Sequence, residues 1–179
     1  MNYILDTNII LAIKNKSFPF DDNNMDFWNF LLELAQQNYF KLPEKVIDEL
    51  ESGTDPLGMW IASNKADFKI ATLSVLTNSS LTRVLTLYDS VRGTPLTEEE
   101  QDYLDRCANP YIIAHALTEN SIVVTAEVMG GIDRNMNIKK IKIPLVCQRL
   151  GVPYISELRF MWELSQKYAE LRQEQPIEI

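Results

Sequence analysis

The run "SIVVT", Ser121 to Thr125, constrains this chain more than any other stretch. It is short, free of charge and rich in β-branched side chains, the pattern of a strand buried on both faces. Helical periodicity flanks it on both sides, and strands joined through helices pair in parallel. "NYIL" over Asn2–Leu5, "YFKL" over Tyr39–Leu42 and "VPYIS" over Val152–Ser156 share that setting, and Phe68–Val75 offers a further strand. The expected fold class is therefore α/β, one domain with a central parallel sheet of about 4–5 strands and helices on both faces.

Helix signals fill the intervals. Phe27, Phe30, Leu31 and Leu34 recur at helical spacing in a helix expected over Asp22–Gln37, with Asp22 as its cap. Pro43 opens the next helix at its first position, and "ESG" closes it. Leu57–Ala66 and Ser80–Val91 follow, then a helix begun by the capping box Thr97–Glu100. The last three are expected from Pro110 to Glu119, over Pro144–Leu150 and over Glu157–Gln173, with a loop from Met129 to Lys140.

With 179 residues and 46% apolar content, the chain can bury one ordinary core. No apolar run reaches the roughly 18 residues of a membrane span, and no charged-then-apolar leader is evident, so a cytoplasmic protein without membrane contact is expected. Cys107 and Cys147 are too few for a disulfide framework and match no metal-binding spacing. The single histidine, His115, cannot build a His-rich metal site. Carboxylates are left as the reactive groups.

A net charge of −8 argues against nucleic-acid binding by bulk charge. The distribution is uneven, however. Arg134, Lys139, Lys140, Lys142 and Arg149 lie in a segment with no acid, so the rest of the chain carries −13. That segment reads either as a solvated loop or as a strip that meets phosphates.

Ligands of open parallel sheets gather at the carboxyl ends of the strands. Asp6 leaves the first strand there, followed by the polar pair Thr7 and Asn8, and Glu127 leaves "IVVT" two residues beyond Thr125. In the helix after Pro43, Glu49 lies roughly 60° from Val46 and nearest the buried stripe, while Glu44, Asp48 and Glu51 point away. Asn109 precedes Pro110 and reads by itself as a helix N-cap, although it projects on the same side as Ile112 and Ile113.

The ordered segments "YILDTNIIL", "PEKVIDELE", "ANPYIIAHAL", "IVVTAE" and "KIKIPLVCQRLGVPYI" resemble a PIN domain, and more narrowly the PIN-like toxin group DUF4411, the VapC-like toxins of toxin–antitoxin systems. The resemblance implies a single PIN-like domain over 1–179, with 157–179 a C-terminal helix and tail. The family's four acidic positions fall on Asp6, Glu49, Asn109 and Glu127, the third being an aspartate before proline in the family and asparagine here.

What the resemblance implies is a metal-dependent endoribonuclease, acting as the toxin of a bacterial-type toxin–antitoxin pair and leaving a 5′-phosphate. Asp6, Glu49, Asn109 and Glu127 are its expected catalytic positions, and Asp6, Glu49 and Glu127 its ligands for Mg2+ or Mn2+, ions suited to hard oxygen donors. Thr7, Asn8 and Thr125 are expected to support them, and Arg134, Lys139, Lys140 and Lys142 to meet the RNA backbone. Expected partners are an RNA substrate and a protein antitoxin. Asparagine lacks the charge and cannot act as a base, so the site should hold a cation more weakly. Either the asparagine is natural and the nuclease weakened or inactive, or it replaces an aspartate.

Two other readings compete. One is a non-catalytic PIN-like module that binds RNA or protein, favoured by Asn109 and the acidic pI. The other is a phosphatase-like enzyme with Asp6 as nucleophile, disfavoured because position 8 is Asn8 and not a second acid. The last helix, with Leu158, Met161, Trp162, Leu164, Tyr168 and Leu171, is expected to pack on the sheet, and its aromatic excess also suits a homodimer or antitoxin contact.

Overall fold

The computed structural model describes residues 2–53, 55–68, 70–130 and 137–174. Among these, five parallel strands form one sheet: β1 (Tyr3–Leu5), β2 (Phe40–Pro43), β3 (Ile70–Ala71), β4 (Ile122–Thr125) and β5 (Tyr154–Ser156). Their order is β3-β2-β1-β4-β5. The chain steps outward from β1 to β3, then returns to the opposite side of β1 for β4. Strand order therefore reverses between β1 and β4. Leu5 pairs with Val124 there, which brings Asp6 and Thr125 out of the sheet side by side.

The helices are α1 (Thr7–Ala12), α2 (Met25–Gln36), α3 (Glu44–Glu51), α4 (Pro56–Ser63), α5 (Val75–Arg92), α6 (Glu98–Arg106), α7 (Asn109–Glu119), α8 (Ile143–Leu150) and α9 (Glu157–Glu174). α7 lies across β1, β2 and β4, with α5 and α8 packed against it. On the other face α9 meets β4 and β5, and its Phe160 sets edge-on against Tyr3 and Phe40, while Tyr168 meets Phe30 of α2. Ile4, Leu5, Val123 and Val124 are fully buried between these layers, as an unbroken apolar strand requires. Gly58 allows α4 to rest on the end of α3, since a Cβ there would sit 2.5 Å from the carbonyl of Gly53. None of the described helices is long and apolar enough to cross a membrane.

Several boundaries differ from expectation. Pro43 closes β2 and does not start α3; its φ of −56° and ψ of 149° are extended, a conformation its ring permits as readily as helix. Asp22 is not the cap of α2: Asp21 caps a short 3-10 turn over Asp22–Asn24, its carboxylate accepting the N–H groups of Asn23 and Asn24 at 3.0 and 3.2 Å, and α2 opens after Asn24 with no side-chain cap. α5 begins at Val75 behind the Ser74 cap, and the exposed Val75 and Leu76 hide that turn from a search for buried periodicity. The same shift leaves only Ile70–Ala71 of the strand expected over Phe68–Val75. α1, continued by a wider π-helical stretch over Ile13–Ser17, was not expected, because Ile9, Ile10, Ala12 and Ile13 are buried together and no polar face marks a period. The capping box at Thr97 and Glu100 is formed as expected.

Candidate functional site

Asp6 stands at the reversal of strand order, where an open parallel sheet leaves a crevice. Its N–H extends the β1–β4 ladder to the carbonyl of Val124 at 3.0 Å, and its side chain turns back to accept the N–H of Asn8 at the start of α1. The hydroxyl of Thr125 donates to Asp6 Oδ2 at 2.9 Å. Asp6 is only 1% exposed. Burial pushes its carboxyl up to about 6, against the lowering effect of the Thr125 and Asn8 hydrogen bonds, and the charge of Glu127 raises it further.

Thr125 also accepts the N–H of Glu127 at 3.1 Å, so one hydroxyl joins both acids. The carboxylate of Glu127 is fully engaged. Oε1 accepts from the ammonium of Lys142 at 2.9 Å, and Oε2 from the N–H of Ile143, the first residue of α8, at 2.7 Å. A carboxylate suits that end of a helix, where N–H groups lack partners and the dipole is positive.

Glu49 is engaged in the same way, though it is exposed and lies on a different helix. Oε1 accepts the N–H of Ala108 at 3.0 Å, ahead of α7, and Oε2 accepts the hydroxyl of Thr7. All three acids thus stand at helix N-termini: Asp6 at α1, Glu49 at α7 and Glu127 at α8. Glu51, expected to point away from the core, is half-buried because α4 and the turn after it bring Lys65 to within 3.0 Å of its carboxylate.

Asn109 is not the N-cap. Ala108 holds that position with helical backbone and no side-chain cap, and Asn109 is the first helical residue. The carboxylate of Glu49, arriving from another helix, accepts the N–H of the N-cap residue itself, the part an acid at the third helical position plays in a capping box. Asp105 does not share a continuous helix with Asn109, because the chain is extended at Cys107 between α6 and α7. That junction lies under both outer acids: the Cys107 thiol is pushed up to about 11, first by burial and then by the charges of Glu49 and Glu127.

Of the expected RNA-binding cations, one meets the acids of this edge. Lys142 rests on Glu127, Lys139 holds its ammonium 5.2 Å from the centre of the Tyr103 ring, and Lys140 is exposed. Arg134 lies outside the described residues.

For Mg2+ or Mn2+ the donors fit in kind, as hard carboxylate oxygens, and not in arrangement. Among the described residues, no three histidines, cysteines or acids are grouped to hold a metal ion. The oxygens of Glu49 and Glu127 are turned toward main-chain N–H groups, the Thr7 hydroxyl and Lys142. Sequence reasoning missed these partners. The available signal for one of them was a lysine placed just ahead of the proline-opened start of α8.

Fold and site together define an α/β protein with an acidic crevice at the point where its strand order reverses. The family model DUF4411, described as a domain of unknown function, matches residues 3–168, and the chain belongs to that family. Solved structures with similar chains include VapBC2 from Rickettsia felis bound to a promoter DNA fragment, at 21% identity over 87% of this chain and 98% of the other, with a TM-score of 0.47. FitAcB from Neisseria gonorrhoeae is similar at 14% identity over 87% and 98%, with a TM-score of 0.48. DNA-bound VapBC from Salmonella typhimurium is similar at 16% identity over 88% and 98%, with a TM-score of 0.48. No curated protein matches the chain.

Proposed function

We propose that this chain is a PIN-like endoribonuclease toxin, cytoplasmic and paired with a protein antitoxin, whose site is Asp6, Glu49, Asn109 and Glu127. The observation that carries this reading is the Asp6–Thr125–Glu127 connection at the reversal of strand order. Asp6, buried and held by fixed hydrogen bonds at a strand exit, is the central acid of the site, with Glu49 and Glu127 beside it to help take the proton. Thr125 holds the Asp6 carboxyl from one side and the Asn8 N–H from the other, while Thr7 links the next residue of the chain to Glu49. Lys139 and Lys140 are exposed and suit the backbone phosphates of RNA. Substrate class and antitoxin rest on the sequence motifs. The exposed Leu158 and Trp162 of α9 are the surface offered for the antitoxin or a second copy.

Asn109 contributes no charge, so on this reading the chain is a weakened or inactive nuclease. The test is cleavage of single-stranded and structured RNA with Mg2+ or Mn2+ by the chain and by Asn109→Asp. Gain of cleavage in Asn109→Asp, abolished by Asp6→Asn, is the expected result. No cleavage by either protein would overturn the proposal.

A second reading is a non-catalytic PIN-like module that binds RNA or protein. It is favoured by one observation, that Glu49 and Glu127 already close the N-terminal ends of α7 and α8. It expects RNA binding unchanged by Asn109→Asp and no cleavage.

A further inference from the structure

Glu127 meets its two partners as a pincer. The ammonium of Lys142 and the N–H of Ile143 come from adjacent residues and hold one carboxylate oxygen each, at 2.9 and 2.7 Å. Lys142 occupies the N-cap position of α8, so its backbone is fixed by the helix start while its side chain reaches back over the β4 exit. A positive charge fixed beside a carboxylate offsets the negative charge that a divalent ion would use. With Asn109 uncharged, Lys142 lowers the sum over Asp6, Glu49 and Glu127 by a further unit.

The two ends of the pincer differ in strength. The Ile143 N–H is part of the main chain and cannot leave without unwinding α8. Lys142 can: its side chain is 40% exposed, against 14% for Glu127, and its flexible stem lets the ammonium swing into water. Half-exposed ion pairs of this type are weak, and separating one carries a small penalty. The contact therefore behaves as a displaceable counter-ion and not as a structural brace.

We propose that Lys142 is a tethered counter-ion of Glu127 that competes with a divalent cation for the acidic crevice. The inference rests on the nuclease reading, since it takes the crevice to be a cation site. It makes Lys142 a regulator of ion binding, a role distinct from contact with RNA.

Calorimetric titration with Mn2+ tests it on the full chain, on Lys142→Met and on Lys142→Arg, with melting temperatures recorded to confirm that each folds. Lys142→Met keeps the stem and removes the charge, and should bind Mn2+ about fivefold more tightly, the equivalent of one half-exposed ion pair. Lys142→Arg keeps the charge and should show no gain. Adding Glu127→Gln to Lys142→Met should cancel the gain. Equal Mn2+ affinity in the chain and Lys142→Met, or an equal gain in Lys142→Arg, would overturn the inference and leave the nuclease reading standing. No Mn2+ binding by any of these proteins, or by Asn109→Asp, would overturn both.

Discussion

Glu49 and Ala108, 59 residues apart in sequence, meet through a 3.0 Å hydrogen bond from the Ala108 N–H to Glu49 Oε1. α7 opens without any side-chain cap of its own. The acid proposed for the site is also the group that accepts at this helix end, so its substitution has a structural consequence independent of chemistry.

Glu49→Ala should lower stability by about 1 kcal/mol, the ordinary value of a lost helix cap. Glu49→Gln keeps one acceptor oxygen and should lose less. Urea denaturation midpoints of the two variants check this, and an equal loss in both would argue that charge, not the hydrogen bond, matters at this position.

Stability should depend on Asp6 between its ordinary value of 3.8 and its folded value of about 6. Its folded pKa is raised, so across this window the folded chain holds a proton that the unfolded chain has released. Stability from this group therefore falls as pH rises from 3.8 to about 6, by roughly 2–3 kcal/mol, and the full penalty persists above. Asp6→Asn should be more stable than the parent at pH 7.5 in chelator, with the difference shrinking toward pH 4. Thermal melts across that range provide the measurement.

His115 acts in the opposite direction. It is 2% exposed, and burial lowers its pKa below 6.5, partly countered by Glu119 at 4.0 Å. A depressed histidine contributes stability that is present above its unfolded pKa and lost as pH falls through the folded one. His115→Gln should flatten that acid-side loss, seen as a smaller drop in melting temperature between pH 7 and pH 5 than the parent shows.

Phe160 is fully buried and packs edge-on against Tyr3 and Phe40, joining α9 to β1 and β2. Phe160→Ala should destabilise the fold by about 3–5 kcal/mol and Phe160→Leu by clearly less, because the loss scales with the cavity left behind. Denaturant unfolding of both variants checks the ranking. A near-neutral Phe160→Ala would mean that α9 contributes little to the sheet's second face.

The alternation of apolar strands with helices was legible because each signal is local. "IVVT" has no polar face, Thr97 and Glu100 are three residues apart, and Pro144 marks the start of α8 within one turn. α1 was hidden for the converse reason: burial of Ile9, Ile10 and Ile13 on all sides erases the periodicity that identifies a helix. The cap before α7 was misassigned because Asn-Pro satisfies the local rule, and the sequence carries no mark of a carboxylate arriving from α3.

The amino-acid sequence by itself determined a parallel α/β sheet and the placement of Asp6 and Glu127 at strand exits, since hydrophobic period and turn chemistry act over a few residues. Only the tertiary structure decided what the acids touch. Glu49 takes an N–H 59 residues away, and Glu127 takes Lys142 and Ile143 across 15 and 16 residues. Unpaired N–H groups at helix starts accept whichever carboxylate the packing delivers, and that delivery depends on how the helices settle on the sheet.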